Sequence, residues 1–135
     1  MTTIRIKGGK LVFKRWEVCG SGTLTAMSGF DLTKRISSGN KVRITLADPN
    51  NVFASASNWY TSLSVKKSNG ENYEFQTGRD LRGIINDNGT DGHFPIVWEF
   101  DWTDENDIIG VNPPSWDSAF NNSAILTVAI RPLNI

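Results

Sequence analysis

Between Phe94 and Phe100 apolar side chains occupy every second position, Phe94, Ile96, Trp98 and Phe100. That is the period of a strand with one buried face. Strand-type runs recur along the chain, and nowhere do apolar residues keep helical spacing for three turns. The pattern predicts strands at 2–7, 10–18, 41–47, 59–67, 71–77, 93–100 and 124–132. Gly8-Gly9 and Asn69-Gly70 supply residues that tolerate positive φ and so predict hairpin turns. Asp48-Pro49-Asn50-Asn51, Asn86-Asp87-Asn88-Gly89 and Asn112-Pro113-Pro114 predict turns or loops. Residues 20–40 are harder to place, and Phe30 to Ile36 fits a single helical turn confined by Gly29 and Gly39. Short strands punctuated by turn residues predict an all-β domain, an antiparallel β-sandwich or jelly roll of about seven to nine strands.

The 135 residues suit one domain spanning 1–135, which buries roughly two thirds of its unfolded surface without covalent staples. The opening Met1 to Lys7 reads as a strand and not as a signal peptide, so synthesis in the cytosol is the expectation, with later release by another route left open. No apolar run reaches membrane-spanning length. Cys19 is the single cysteine and has no partner for an internal disulfide.

The net charge is zero, yet it is segregated along the chain. Residues 1–43 hold nine Lys or Arg against Glu17 and Asp31, a net +7, and residues 80–117 hold nine acids against Arg82, a net −8. Distant segments pair in a sandwich, so the two groups either neutralise each other within one molecule or form poles that favour a homo-oligomer.

Catalytic constellations are sparse. His93 is the only histidine, and no Gly-x-Ser-x-Gly elbow places a serine against it. No Gly-Lys-Ser or Gly-Lys-Thr phosphate loop is present, and Cys19 with His93 is too small a set for zinc. A carboxylate pair for glycoside hydrolysis within the acid-rich segment is the one enzymatic arrangement left open. The expectation is a protein that is not an enzyme.

Binding chemistry is better represented. The strand ending at Phe100 runs into Asp101-Trp102-Thr103-Asp104-Glu105-Asn106-Asp107, where closely spaced carboxylates present oxygen ligands to a hard cation or face a basic partner. Trp102 and Trp116 sit in polar loops, where an indole either stacks on a sugar or folds back over the end of the sandwich. With Asp104 and Asn112 beside them, these rings are candidate carbohydrate contacts. Trp16, Trp59 and Trp98 fall within strand patterns and are expected in the core. A neutral chain without clustered exposed aromatics argues against nucleic acid.

Two local resemblances arise. Val97-Trp98-Glu99-Phe100-Asp101-Trp102 with Asn106-Asp107-Ile108-Ile109-Gly110 resembles the last calcium loop of the membrane-binding domains of protein kinase C and synaptotagmin. It implies Asp101 and Asp107 as calcium ligands, although Thr103 stands where that family carries another Asp. The segment from Asn112 to Ser123 ahead of the final strand is similar to small bacterial calcium-dependent lectins. It implies Asp117, Asn121 and Asn122 as calcium ligands, with Asn112 as a fourth, whereas amides that simply cap turns are the structural alternative. Together these readings give a lectin-like module that binds carbohydrate or glycoconjugate, with calcium as the candidate ion. The alternatives are a membrane-surface or small toxin-like sandwich and a self-assembling structural or inclusion protein.

Overall fold

The computed structural model describes residues 3–7, 10–49, 60–80, 95–116 and 118–133, with side chains from 15 onward except at 60, 78–80 and 119. Ten strands are described: β1 (Thr3–Lys7), β2 (Lys10–Lys14), β3 (Glu17–Thr23), β4 (Phe30–Ile36), β5 (Asn40–Ala47), β6 (Tyr60–Lys67), β7 (Asn72–Asp80), β8 (Ile96–Trp102), β9 (Ile108–Val111) and β10 (Ile125–Pro132). A short 3-10 turn, Ser118–Phe120, precedes β10. Strands β1 and β2 form an antiparallel pair of their own, with Lys7 opposite Lys10. The other eight form two four-stranded antiparallel sheets, ordered β3-β10-β5-β8 and β4-β9-β6-β7, as the alternation predicts for an all-β sandwich.

The period of two explains the core. In β5, Val42, Ile44 and Leu46 are fully buried while their neighbours are not; β10 begins the same way with Leu126 and Val128, then buries Ala129 and Ile130 in succession where its pairing with β3 shifts register. Leu63, Val65, Ile36, Ile108 and Val111 join the same core cluster from the second sheet. Each such aliphatic side chain contributes about 1.5 to 3 kcal/mol through burial.

The two side edges of the sandwich are closed differently. At one, β3 meets β4 through side chains packed on backbone. A Cβ on Gly20 would lie 2.8 Å from Leu32 Cδ2 and one on Gly22 would lie 3.1 Å from the Phe30 ring. Bare backbone at both positions admits those side chains. Thr33 Oγ1 donates to the Cys19 carbonyl at 2.7 Å, and Lys34 pairs with Glu17 at 2.9 Å. Burial pushes the Cys19 thiol pKa upward. At the other edge, β7 and β8 meet through aromatic rings. Phe75 meets Trp98 edge-on at 5.3 Å, Tyr73 lies 5.0 Å from Phe100, and Gln76 Oε1 accepts from Trp98 Nε1 at 3.0 Å.

Several expectations need correction. Phe30 to Ile36 is a strand and not a helical turn: Phe30, Leu32 and Ile36 are its more buried positions, with Asp31 and Thr33 exposed between them. The run at 10–18 breaks at Arg15-Trp16 into β2 and β3. Trp16 is not in the core cluster; its ring lies 4.1 Å from the Arg43 guanidinium carbon and 4.9 Å from that of Arg131, an aromatic face beside two cations. Asn69-Gly70 does form the β6-β7 turn, with Gly70 at φ +89° and Lys67 N donating to the Glu71 carbonyl. Gly8-Gly9, Asn50-Asn51, Asn86 to Gly89 and Trp59 lie outside the described residues.

Part of the charge segregation resolves into cross-strand pairs. Register places Lys41 opposite Asp101 and Arg43 opposite Glu99 on β5 and β8, and the pairs close at 3.8 and 2.8 Å. Arg35 reaches Asp107 at 3.8 Å. Basic residues of the first third thus neutralise acids of the last third inside one molecule.

Candidate functional site

The sequence-predicted residues divide between the two ends of the sandwich. Strand β10 runs from Ile125, opposite Thr23 and Ala47, to Pro132, opposite Asn40, which is itself opposite Trp102. The loop after Trp102 and the turn before Ile125 are therefore separated by roughly 23 Å, the length of eight strand residues. Asp101, Trp102, Asp104 and Asp107 belong to the first end, and Trp116, Asn121 and Asn122 to the second. Asp117 and His93 lie outside the described residues.

At the first end Trp102 is only 3% exposed and donates its indole N–H to the Asn106 carbonyl at 3.2 Å, so the ring caps the core. Asp104 organises the loop: its Oδ1 accepts the Asn106 backbone N–H at 2.8 Å and its Oδ2 accepts from Lys67 at 2.9 Å. The backbone donor first, then the Lys67 ammonium, hold its carboxyl below the usual carboxylate range, and the same contact with Asp104 raises Lys67. Asp101 faces Lys41 and Asp107 faces Arg35. Each of the three loop aspartates thus stands beside a cationic side chain, and among the described residues no group of three His, Cys, Asp or Glu is arranged to hold a metal.

A pocket of about 270 Å³ opens beside this loop, lined by Tyr73, Asp101, Trp102, Thr103 and Asp104. Tyr73 is 38% exposed and rests on the Trp102 ring at 5.4 Å, edge-on, and on the Phe100 ring at 5.0 Å. Two strand edges build the site: Tyr73 comes from the start of β7, just after the Asn69-Gly70 turn, and Asp101 and Trp102 come from the end of β8. An apolar ring face framed by oxygen-bearing side chains can stack on the C–H face of a polar ring and hydrogen-bond its hydroxyls. Tyr73 is the residue that sequence reasoning missed. Its signal was present: a tyrosine at the first position of its alternation in a strand that follows a tight turn, where the ring packs inward and its rim meets solvent.

At the second end the side chains hold one another. Asn121 Oδ1 accepts from the Ala26 backbone N–H at 2.8 Å and from Trp116 Nε1 at 3.2 Å. Asn122, at φ +58°, accepts from Thr23 Oγ1 at 3.2 Å and sends its backbone N–H to the Leu24 carbonyl. The half-buried Trp116 meets Phe120 edge-on at 5.9 Å. These amides clasp the turn to the 24–28 segment. Asn112 belongs with neither end: its Nδ2 donates to Ser64 Oγ and Asn72 Oδ1, both at 3.0 Å, on the second sheet.

No protein-family model matches the chain, and no curated protein or solved structure does. Among the described residues, no helix is long and apolar enough to cross a membrane.

Proposed function

We propose that this protein is a non-enzymatic carbohydrate-binding module whose ligand sits on Tyr73. The observation that carries the reading is the partly exposed Tyr73 ring, held by Phe100 and Trp102, with Asp101, Thr103 and Asp104 around the same pocket. The ring offers a stacking face and the side chains offer hydroxyl partners, the combination a sugar requires. Asp104 is unsuited to the proton-donor role of a glycosidase, which must hold its proton near neutrality. Asp104 is shifted the other way by Asn106 and Lys67.

Because Lys41, Lys67 and Arg35 already stand against the loop aspartates, the reading assigns sugar contact to the protein's own side chains and not to a bridging calcium ion. A glycan array with wild-type protein and Tyr73→Ala, each with calcium and with chelator, tests both parts. Retention lost in the variant and indifferent to chelator is the expected result. Binding that survives Tyr73→Ala overturns the site, and binding abolished by chelator restores calcium to the mechanism.

A further inference from the structure

A second pocket lies on the outer side of the β4-β9-β6-β7 sheet. Gly110 of β9 is opposite Asp31 of β4 on one side and opposite Lys66 of β6 on the other. Three adjacent strands therefore carry a carboxylate, no side chain, and an ammonium in one row, with the outer two Cα atoms about 10 Å apart at the usual strand spacing. The missing side chain opens a slot of about 300 Å³ whose lining includes Gly29, Asp31, Lys66, Gly110, Asn112 and Pro113. A Cβ on Gly110 would lie 3.4 Å from Asp31 Oδ1 and 3.0 Å from the Phe30 carbonyl, so the carboxylate leans over the glycine.

Among the described residues neither the Asp31 carboxylate nor the Lys66 ammonium has a hydrogen bond or ion pair; the two exposed side chains carry opposite charges and line one pocket. Asn112 is fixed at the slot's rim through its two Nδ2 bonds and its backbone bond to the Ser64 carbonyl, which leaves its Oδ1 as an acceptor. We propose that the slot binds a small zwitterion, with the ligand's ammonium against Asp31, its anionic group against Lys66, and its body over Gly110. A zwitterion satisfies both charges at once, whereas a singly charged molecule leaves one unanswered. The chemistry fits a free amino acid and equally a zwitterionic phospholipid headgroup. No residue is shared with the Tyr73 pocket, so the two sites stand or fall separately.

The test is titration of the full chain, followed by the backbone amide resonances of Gly110 and Asn112, with L-alanine and with phosphocholine. Acetate and methylammonium serve as singly charged controls, and phosphatidylcholine vesicles are added in a sedimentation assay. Saturable shifts with a zwitterion, weaker by about tenfold or more for the controls, are expected, as is a similar loss in Asp31→Asn and in Lys66→Gln. The double exchange Asp31→Lys with Lys66→Asp should keep binding, since the ligand can reverse its orientation. L-alanine binding identifies a free amino acid as the source, and phosphocholine and vesicle binding without L-alanine identifies a headgroup. Absence of any zwitterion-dependent shift overturns the proposal. So does binding unchanged in both single variants, with thermal melts showing all proteins folded.

Discussion

The two ends of the sandwich carry similar residues, a tryptophan amid oxygen-bearing side chains, and use them in opposite ways. At the β8 end the indole is the buried part and the carboxylates face solvent beside lysines and an arginine, which leaves the neighbouring Tyr73 as an accessible ring. At the β10 end the indole is half-buried and the Asn121 oxygen is occupied by a backbone N–H and the indole N–H together. An oxygen already taken by the protein's own donors holds structure, as in Asn121 and also in Asp104, whereas Asp101 and Thr103 at the pocket rim keep oxygen for a ligand. The sharpest way to break this contrast is to truncate both rings. Trp102→Ala should cost about 3 to 5 kcal/mol, the range for a buried aromatic, and Trp116→Ala clearly less. Equal losses in chemical denaturation, or a larger one at Trp116, would erase the difference.

The next effect sharpens the structural half of the comparison. Asn121→Ala strands the Ala26 N–H and the Trp116 indole N–H, at a cost of about 1 to 3 kcal/mol for each group left unsatisfied and out of reach of water. Equilibrium unfolding reports it, and the summed tryptophan emission should shift to the red as water reaches the loosened Trp116 ring. A variant as stable as wild type would mean that the amide is free to serve a ligand, as the lectin-like resemblance implies.

Much of the fold was legible because burial of one face writes itself into the sequence every second residue. β5 follows the alternation throughout and β10 as far as Val128, and the Asn69-Gly70 turn announces itself by the need for positive φ. β4 was obscured because Thr33, Lys34 and Arg35 are all exposed, which interrupts the apolar period, and β3 because its glycines replace the side chains that would have marked it. β9 has four residues, too few to show a period. The site was half legible. Trp102 and Asp104 were named from the sequence and both line the pocket beside Tyr73, but no local pattern says whether an indole points into the core or out to a ligand. Tyr73 was hidden because its partners Phe100 and Trp102 lie about 27 residues or more away in sequence and meet it only through the pairing of two sheet edges.

A smaller stability effect accompanies the larger functional one at Tyr73. Tyr73→Ala loses two ring contacts and should cost about 0.5 to 1.5 kcal/mol for each aromatic pair at most, less where the ring is exposed. If denaturation shows a loss as large as that of Trp102→Ala, Tyr73 is a core residue, and the contrast between an open end and a clasped end disappears.

The smallest expected effect concerns Asp104 and pH. Its folded pKa lies below the unfolded one, first because of the Asn106 N–H and then because of Lys67, so the unfolded chain binds the extra proton as pH falls. Stability from this group is therefore complete above the ordinary carboxylate range, near pH 4, and is lost as pH drops through the folded value. Lys67 is raised by the same contact, so its contribution is complete below the ordinary lysine range and is lost only as pH climbs through the raised value. Between those limits the pair is constant. Asp104→Asn should therefore be slightly less stable than wild type by an amount that does not vary from about pH 5 to 9. That gap should close toward pH 2, and urea unfolding of both proteins at several pH values measures it. A gap that stays constant into strong acid would show that the loop is held by Asn106 geometry alone. The contacts of Asn106 and Lys67 would then not favour the ionised carboxylate over the protonated one.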